Sequence, residues 1–350
     1  MISGHVRKEV DEALFAFVDR QRPGLRAISD DLDAMISTLD ALLAGGKRLR
    51  PAFCYWGWRG AGGSDVPGVL AAAASLELLQ ASALVHDDVM DASDTRRGRP
   101  AAHRRFQAVH EDAGRPGDAA AFGTGAAILL GDLCLAWSGQ MYHESGLDDA
   151  ALRRGRPVYD LMRTEMTCGQ YLDILEQARG RGTVESALRV VVFKSAKYTI
   201  ERPLQLGAAL ADAPPRLVAA YSAYGLPLGI AFQLRDDVLG VFGDPALTGK
   251  PAGDDLREGK RTVLIALALR AATPAQAEAL RAGLGDRELD ATGVETLRSV
   301  IVDTGAPAAC EEMIEEYARE ATDALRAAPI EAEAKAALAD LAVTATARQV

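Results

Sequence analysis

Residues 67–91 form an Ala/Leu-rich stretch of helical period that stays apolar nearly all round and then ends in acid, Asp87-Asp88-Val89-Met90-Asp91. A helix that is apolar on every side must be wrapped by others. The stretch therefore predicts a central helix in a many-helix protein. A second stretch, 218–242, has the same character and carries Asp236-Asp237-Val238-Leu239-Gly240. Helix-period patterns also cover 5–20, with Val10, Leu14 and Phe17 on one face, and 118–145, 150–178, 184–211 and 215–243. Shorter helices are expected from 261 to 347, and breaks fall at Gly62-Gly63, Arg115-Pro116-Gly117, Gly180-Arg181-Gly182, Pro214-Pro215 and Gly243-Asp244-Pro245. No strand alternation or β-hairpin signal stands out. The reading is an all-α, single-domain multi-helix bundle over residues 1–350 around a central apolar cavity. Ala83 to Met90 also echoes Ala231 to Leu239, as if one half of the chain mirrored the other.

With 49% hydrophobic and 25% charged residues the 350-residue chain can bury a sizeable core. Its net charge of −10 argues against nucleic acid as a partner, since phosphate backbones need a basic surface. Small phosphorylated ligands remain open. Cys54, Cys134, Cys168 and Cys310 are far apart, without metal-ligand spacing, and read as buried small hydrophobes in a reduced setting. The N-terminus lacks the apolar core of a signal peptide, and no run of about 18 apolar residues is evident. No transmembrane helix, no stable membrane insertion and a cytoplasmic location are expected.

The acids carry the chemistry. On a helix Asp87 and Asp91 share a face, with Cβ atoms roughly 5–6 Å apart. Two such carboxylates repel unless a counter-charge joins them, and nothing basic lies within a turn of them on that helix. Mg²⁺ takes one or two carboxylates with phosphate oxygens and water, so a magnesium site is expected. Asp88 points about 100° away and reads as a supporting acid. Just beyond lies Arg96-Arg97-Gly98-Arg99-Pro100, whose guanidinium forks suit a diphosphate. Gly45-Gly46-Lys47-Arg48-Leu49-Arg50-Pro51 would make a second anion site, with Lys47 and Arg50 read as three apart on one helix face. Gln233 precedes the second acidic cluster by one turn, and Lys250, Asp254-Asp255 and Lys260 follow it. Metal ions on two acidic helices would neutralise a diphosphate leaving group. The resulting carbocation needs a dry cavity.

These motifs resemble those of the trans-isoprenyl diphosphate synthases of the polyprenyl synthetase family, over about 40–265 of the chain. The resemblance implies the isoprenoid synthase fold, Mg²⁺ as cofactor, a homodimer, and head-to-tail condensation of isopentenyl diphosphate with an allylic diphosphate. Asp87–Asp91 matches the family's DDxxD motif and implies that Asp87 and Asp91 bind metal, with Arg96 on the allylic and Arg97 on the isopentenyl diphosphate. Residues 45–51 match GGKxxRP, which implies that Lys47 and Arg50 hold isopentenyl diphosphate, with Gln80 a third ligand seven residues before Asp87. Lys194-Ser195 matches the family's Lys-Thr pair and keeps the hydroxyl near the cation. Gln170 and Asp173 fall in GQxxD, and Gln233, Lys250 and Lys260 match allylic-site positions. The departure is Gly240, where many members carry Asp. Asp236 is then the main metal ligand of the second cluster, with Asp237 in support.

Product length in this family depends on what blocks the cavity beneath the first motif. Ser82 and Ala83 lie roughly one turn deeper than Asp87. Both are small and leave that floor open, so the next obstruction is expected from Trp137, Met141 or Tyr142. Geranylgeranyl diphosphate is the expected product, with farnesyl or a longer polyprenyl diphosphate the alternative. Rival readings are an all-α metal phosphohydrolase using His86-Asp87, an inactive partner subunit favoured by Gly240, and a terpene cyclase. The phosphohydrolase lacks further histidines at suitable spacing, and a cyclase needs no Lys47, Arg50 or Arg97.

Overall fold

The computed structural model describes residues 4–180, 182–244 and 253–346. In chain order the helices are α1 (Gly4–Ile28), α2 (Asp33–Leu43), α3 (Leu49–Gly60), α4 (Pro67–Met90), α5 (Ala102–Asp112), α6 (Ala119–His143), α7 (Asp149–Arg179), α8 (Val184–Val190), α9 (Arg202–Leu210) and α10 (Pro215–Phe242). After them come α11 (Asp254–Glu258), α12 (Val263–Ala271), α13 (Pro274–Gly283), α14 (Ala291–Asp303), α15 (Ala306–Ala327) and α16 (Ala332–Thr346). The fold is all-α, as expected. One expectation needs correction: Thr95–Arg96 and Arg99–Pro100 form a two-stranded antiparallel hairpin. Its turn residues, Arg97 and Gly98, have φ of 54° and 71°, the signature of a tight primed turn.

The two central helices start and stop for local reasons. Both open on a proline in the first turn, Pro67 and Pro215, where the missing N–H is not needed. α4 stops because Ala92 turns left-handed, with φ of 48°. Ser93 N then donates to Asp88 O at 2.9 Å and Ala92 N to Val89 O at 3.3 Å, which satisfies two of the helix's last carbonyls. That turn places Asp91, buried, as the residue that caps the end of α4.

α4 packs on α6, α3 and α1, while α10 packs on α15 and on the segment joining α8 to α9. One core gathers α1, α3, α4 and α6 with the first part of α10, from Leu217 to Phe232; a second gathers the rest of α10 with α12 to α15. The sequence reads 184–211 as one helix. The chain is helical throughout, but Val191–Glu201 winds as a wide π-helix. Wide turns of this kind recur at functional sites, and this one carries Lys194, Ser195, Tyr198 and Thr199.

The expectation that no helix could span a membrane is corrected. By length and composition alone α4, α6 and α10 are apolar enough to do so. The protein's own core accounts for two of them, because 78% of the apolar window of α4 and 61% of that of α10 is buried. For α6 the share is 28%.

Candidate active site

A cavity of about 1010 Å³ opens between α4, α7, the π segment and α10. The anion-binding loop, the arginine hairpin and both acidic clusters all contribute to its lining.

At one part of the wall positive charge gathers. Lys47 does not share a helix face with Arg50, because α3 begins only at Leu49. Both still line the cavity. The loop is shaped by backbone that turns left-handed at Gly45, Gly46 and Arg48, with φ of 87°, 94° and 52°. Arg48 is a structural residue that the sequence did not single out. It is buried and donates to Asp11 and Glu77, each at 2.6 Å, and to Leu43 O at 2.7 Å. It thereby ties the loop to α1 and α4. A Cβ on Gly46 would stand 3.4 Å from both terminal nitrogens of Arg97, so the hairpin presses directly on the loop. Burial, together with the charges of Arg48, Arg96 and Arg50, pulls the Arg97 pKa below its ordinary value despite nearby Glu77. Such a concentration of cations calls for an anion. Arg50 donates to Thr199 Oγ1 at 2.8 Å and lies 4.2 Å over the Tyr198 ring, and Tyr198 donates its hydroxyl to Gln80 Oε1 at 2.8 Å. Arg50, Gln80 and the π segment are thus locked together.

The first acidic cluster is the most heavily paired point of the cavity. Asp87 Oδ1 accepts from Gln170 Nε2 at 2.9 Å and Lys194 Nζ at 3.0 Å, and its Oδ2 lies 3.6 Å from Arg96. Burial alone would raise the Asp87 pKa, but Lys194, Lys260 and Arg96 overcome it and hold this carboxyl well below the usual range. Lys194 also donates to Asp173 at 2.6 Å. It can reach both acids because Gly169 lets the backbone of the π segment touch α7: a Cβ there would lie 2.3 Å from Lys194 N. Arg96 bonds Asp88 through two nitrogens, Nε at 2.9 Å. Asp88, buried, is therefore the support that positions Arg96. Asp91 is different. Burial and the charge of Asp87 push its pKa up to about 6, although Lys260 Nζ stands 3.2 Å away. Arg287, which no motif marked, donates to Asp91 O at 2.5 Å and to Ala92 O at 3.2 Å. It closes the end of α4 from a loop almost two hundred residues on in the chain.

In the second cluster Asp236, Asp237 and Gln233 line the cavity. Gln233 Nε2 donates to Asp237 Oδ1 at 2.7 Å. Asp237 is buried, and burial followed by the charges of Asp255 and Asp236 drives its pKa up to about 8. Lys260 Nζ links the first cluster to α11, lying 3.2 Å from Asp91, 2.8 Å from Glu258 and 3.8 Å from Asp255. Ser195 lines the cavity. Lys250 lies outside the described residues.

The donor set suits Mg²⁺. It offers hard carboxylate oxygens from two walls of one cavity, Asp87 on α4 and Asp236 with Asp237 on α10, while the buried Asp91 Oδ2 has Lys260 Nζ beside it at 3.2 Å. Among the described residues no three Asp, Glu, His or Cys converge into a ready cage. Two acids completed by water and diphosphate oxygens is the arrangement such walls can offer. His86 faces α6 instead, at 3.2 Å from Ile128 O and 3.5 Å from Asp132.

Below the acids, Ser82 and Ala83 line the cavity together with Leu135 of α6 and Met166 of α7. Trp137, Met141 and Tyr142 are absent from this lining. Trp137 packs edge-on against Phe17 in the core, Met141 is buried there too, and Tyr142 stacks on Tyr159 and bonds Leu152 O. Helical phase turns Trp137 and Met141, two and six residues beyond Leu135, to other sides of α6, whereas Tyr142, seven residues on, shares Leu135's face but lies two turns farther along.

Residues 33–301 match the family model described as Polyprenyl synthetase. The chain belongs to the polyprenyl synthetase family. It is 32% identical over 304 residues to the geranylfarnesyl diphosphate synthase of Aeropyrum pernix, covering 85% of this chain and 89% of that one. It is also 32% identical to the geranylgeranyl diphosphate synthase of Mycobacterium tuberculosis, covering 80% and 75%. The crystal structure of geranylgeranyl pyrophosphate synthase from Corynebacterium glutamicum, complexed with isoprenyl diphosphate and magnesium, superimposes with a TM-score of 0.95 at 43% identity, over 98% and 99% of the two chains.

Proposed function

We propose that this chain is a magnesium-dependent prenyltransferase that condenses isopentenyl diphosphate head to tail with allylic diphosphates, with geranylgeranyl diphosphate as its main product. The observation that carries the reading is the meeting, on one cavity, of a cation-rich wall at Lys47, Arg50 and Arg97 with acidic clusters on α4 and α10. A terpene cyclase would need only one diphosphate site.

In this reading Lys47, Arg50, Arg97 and Gln80 hold the diphosphate of the isopentenyl substrate, while Arg96, Lys260 and Lys250 serve the allylic diphosphate. Asp87, Asp91 and Asp236 would hold Mg²⁺, which neutralises the leaving diphosphate when bound. Lys194, fixed by Asp87 and Asp173, places a second positive charge where that leaving group departs. Ser195 and Gln170 present neutral dipoles to the allylic cation. The apolar lining excludes water that would quench it. Ser82 and Ala83 leave room under the first cluster, which supports growth beyond farnesyl, and Leu135 and Met166 are the next side chains that a longer chain would meet.

The reading includes a homodimer and a cytoplasmic location. Support for the first is the outer face of α6, where Phe122, Ile128 and Leu129 are 39%, 42% and 61% exposed; a second copy would cover it. Support for the second is four free thiols. Incubation with isopentenyl diphosphate, Mg²⁺ and each allylic starter, followed by chromatography, tests the function. A protein that releases prenyl alcohol or a cyclic hydrocarbon instead would overturn it. Light scattering coupled to size exclusion tests the dimer.

A further inference from the structure

Gly240 stands one helical turn after Asp236, as Asp91 stands one turn after Asp87. A glycine within a helix is less stable than alanine there by about 1 kcal/mol, so its place in α10 needs a cause. The space around it supplies one. A Cβ on Gly240 would lie 1.8 Å from Asp255 Oδ2, 2.5 Å from its Cγ and 3.1 Å from its Oδ1. A carboxylate from α11 thus fills the volume in which a side chain at 240 would begin.

Asp255 also shares its counter-charge with other acids. Only 9% of the residue is exposed. Its ion-pair partner among the described residues, Lys260, stands 3.8 Å from Oδ1 and is closer to Glu258 and Asp91. One ammonium thus serves three buried carboxylates, which leaves negative charge in excess at this point. Asp255 opens onto the same cavity as Asp236 and Asp237. Backbone holds it there. Lys260 N donates to Asp255 O at 3.0 Å, and Gly285 N donates to Leu256 O at 2.8 Å.

We propose that Asp255 supplies the second acidic wall with the carboxylate that position 240 lacks, facing the divalent cation that Asp236 holds with diphosphate. Gly240 and Asp255 then form one device in two pieces. The helix gives up a side chain so that an acid from fifteen residues downstream can stand in its place. This rests on the metal-and-diphosphate reading of the site given above.

The test counts Mn²⁺ bound in the presence of inorganic diphosphate, by calorimetry and by the loss of the free-ion resonance signal. Asp255→Asn keeps the shape and removes the charge; it should weaken one bound ion by about tenfold with an unchanged melting temperature. Gly240→Asp alone should melt lower and gain no ion, because its side chain meets Asp255. The swap, Gly240→Asp with Asp255→Gly, should recover wild-type Mn²⁺ affinity. Unchanged Mn²⁺ binding in Asp255→Asn overturns the proposal. So does a swap that melts like the wild type and stays weak. Asp87→Asn separates the two readings: if it weakens Mn²⁺ binding while Asp255→Asn does not, this inference alone falls. A wild-type protein that binds no Mn²⁺ with diphosphate removes the broader reading as well.

Discussion

The acidic clusters of α4 and α10 share a sequence pattern and differ in their neighbours. Asp87 corresponds to Asp236, Asp88 to Asp237, and Asp91 to Gly240. In α4 the second aspartate meets an arginine, Arg96; in α10 it meets the neutral amide of Gln233. The first aspartate of α4 is met by Lys194, Gln170 and Arg96, and is held ionised. Asp237, buried and then crowded by Asp255 and Asp236, is pushed up to about 8. One turn deeper, α4 carries Ala83 and α10 carries Phe232, both on the cavity wall. The same motif thus makes a charged, open wall on one side and a charge-poor, filled wall on the other. What a motif does depends on what the fold sets against it.

The largest effect should come from breaking the α4 side. Asp87→Ala should lower turnover by about 10²–10³-fold, the range for losing one electrostatic anchor in a closed site, with helical circular dichroism retained. Wild-type steady-state rates in that variant would remove Asp87 from the metal site. Next comes the depth of the two walls. Ala83→Phe gives α4 the aromatic that α10 already has and should shift the product towards fifteen carbons on chromatography. An unchanged product would place the floor elsewhere, with Leu135 and Met166 the first candidates.

A smaller effect separates the clusters by pH in the metal-free protein. Asp237 keeps its proton in the folded state up to about pH 8, whereas an unfolded aspartate releases it near its ordinary 3.8. The folded state then binds the extra proton between those values, so this group makes stability fall as pH rises through that window. Asp237→Asn should flatten the decline, read as melting temperature against pH. Asp87 has the opposite sign. Its depressed pKa adds stability above about pH 4 that is lost on acidification. Matching pH profiles for wild type and Asp237→Asn would contradict this assignment. The smallest change is expected at Arg287. Losing its two hydrogen bonds to the end of α4 should cost about 1–2 kcal/mol in chemical denaturation, with no change in product length.

Much of the site was legible in the chain, because the chemistry that binds a diphosphate uses few residue types at short spacing. Asp87 with Asp91, Arg96 with Arg97, and the loop 45–51 are local patterns; Asp87, both arginines and residues 46–50 reach the cavity, and Asp91 is buried against Lys260. Harder to read were positions set by helix phase or by distant packing. Lys47 looked helical and is not, since a left-handed Arg48 starts α3 late. The π turns of Val191–Glu201 carry no periodicity signal over so short a span, and Trp137 and Met141 are turned away from the cavity by their phase while Tyr142 lies two turns beyond Leu135 along α6.

By itself the sequence determined that the protein is all-α, where its two apolar central helices run, and that each carries acid at one end. Those are consequences of propensity and of a 3.6-residue period, which act within a few turns. Only the tertiary structure decided which partner each acid receives. Lys194, Lys260, Arg287 and Asp255 come from residues far along the chain, and the close approaches at Gly169 and Gly240 bring them in. Charge and burial are properties of a packed volume, so the difference between the two clusters exists only once α4 and α10 share a cavity.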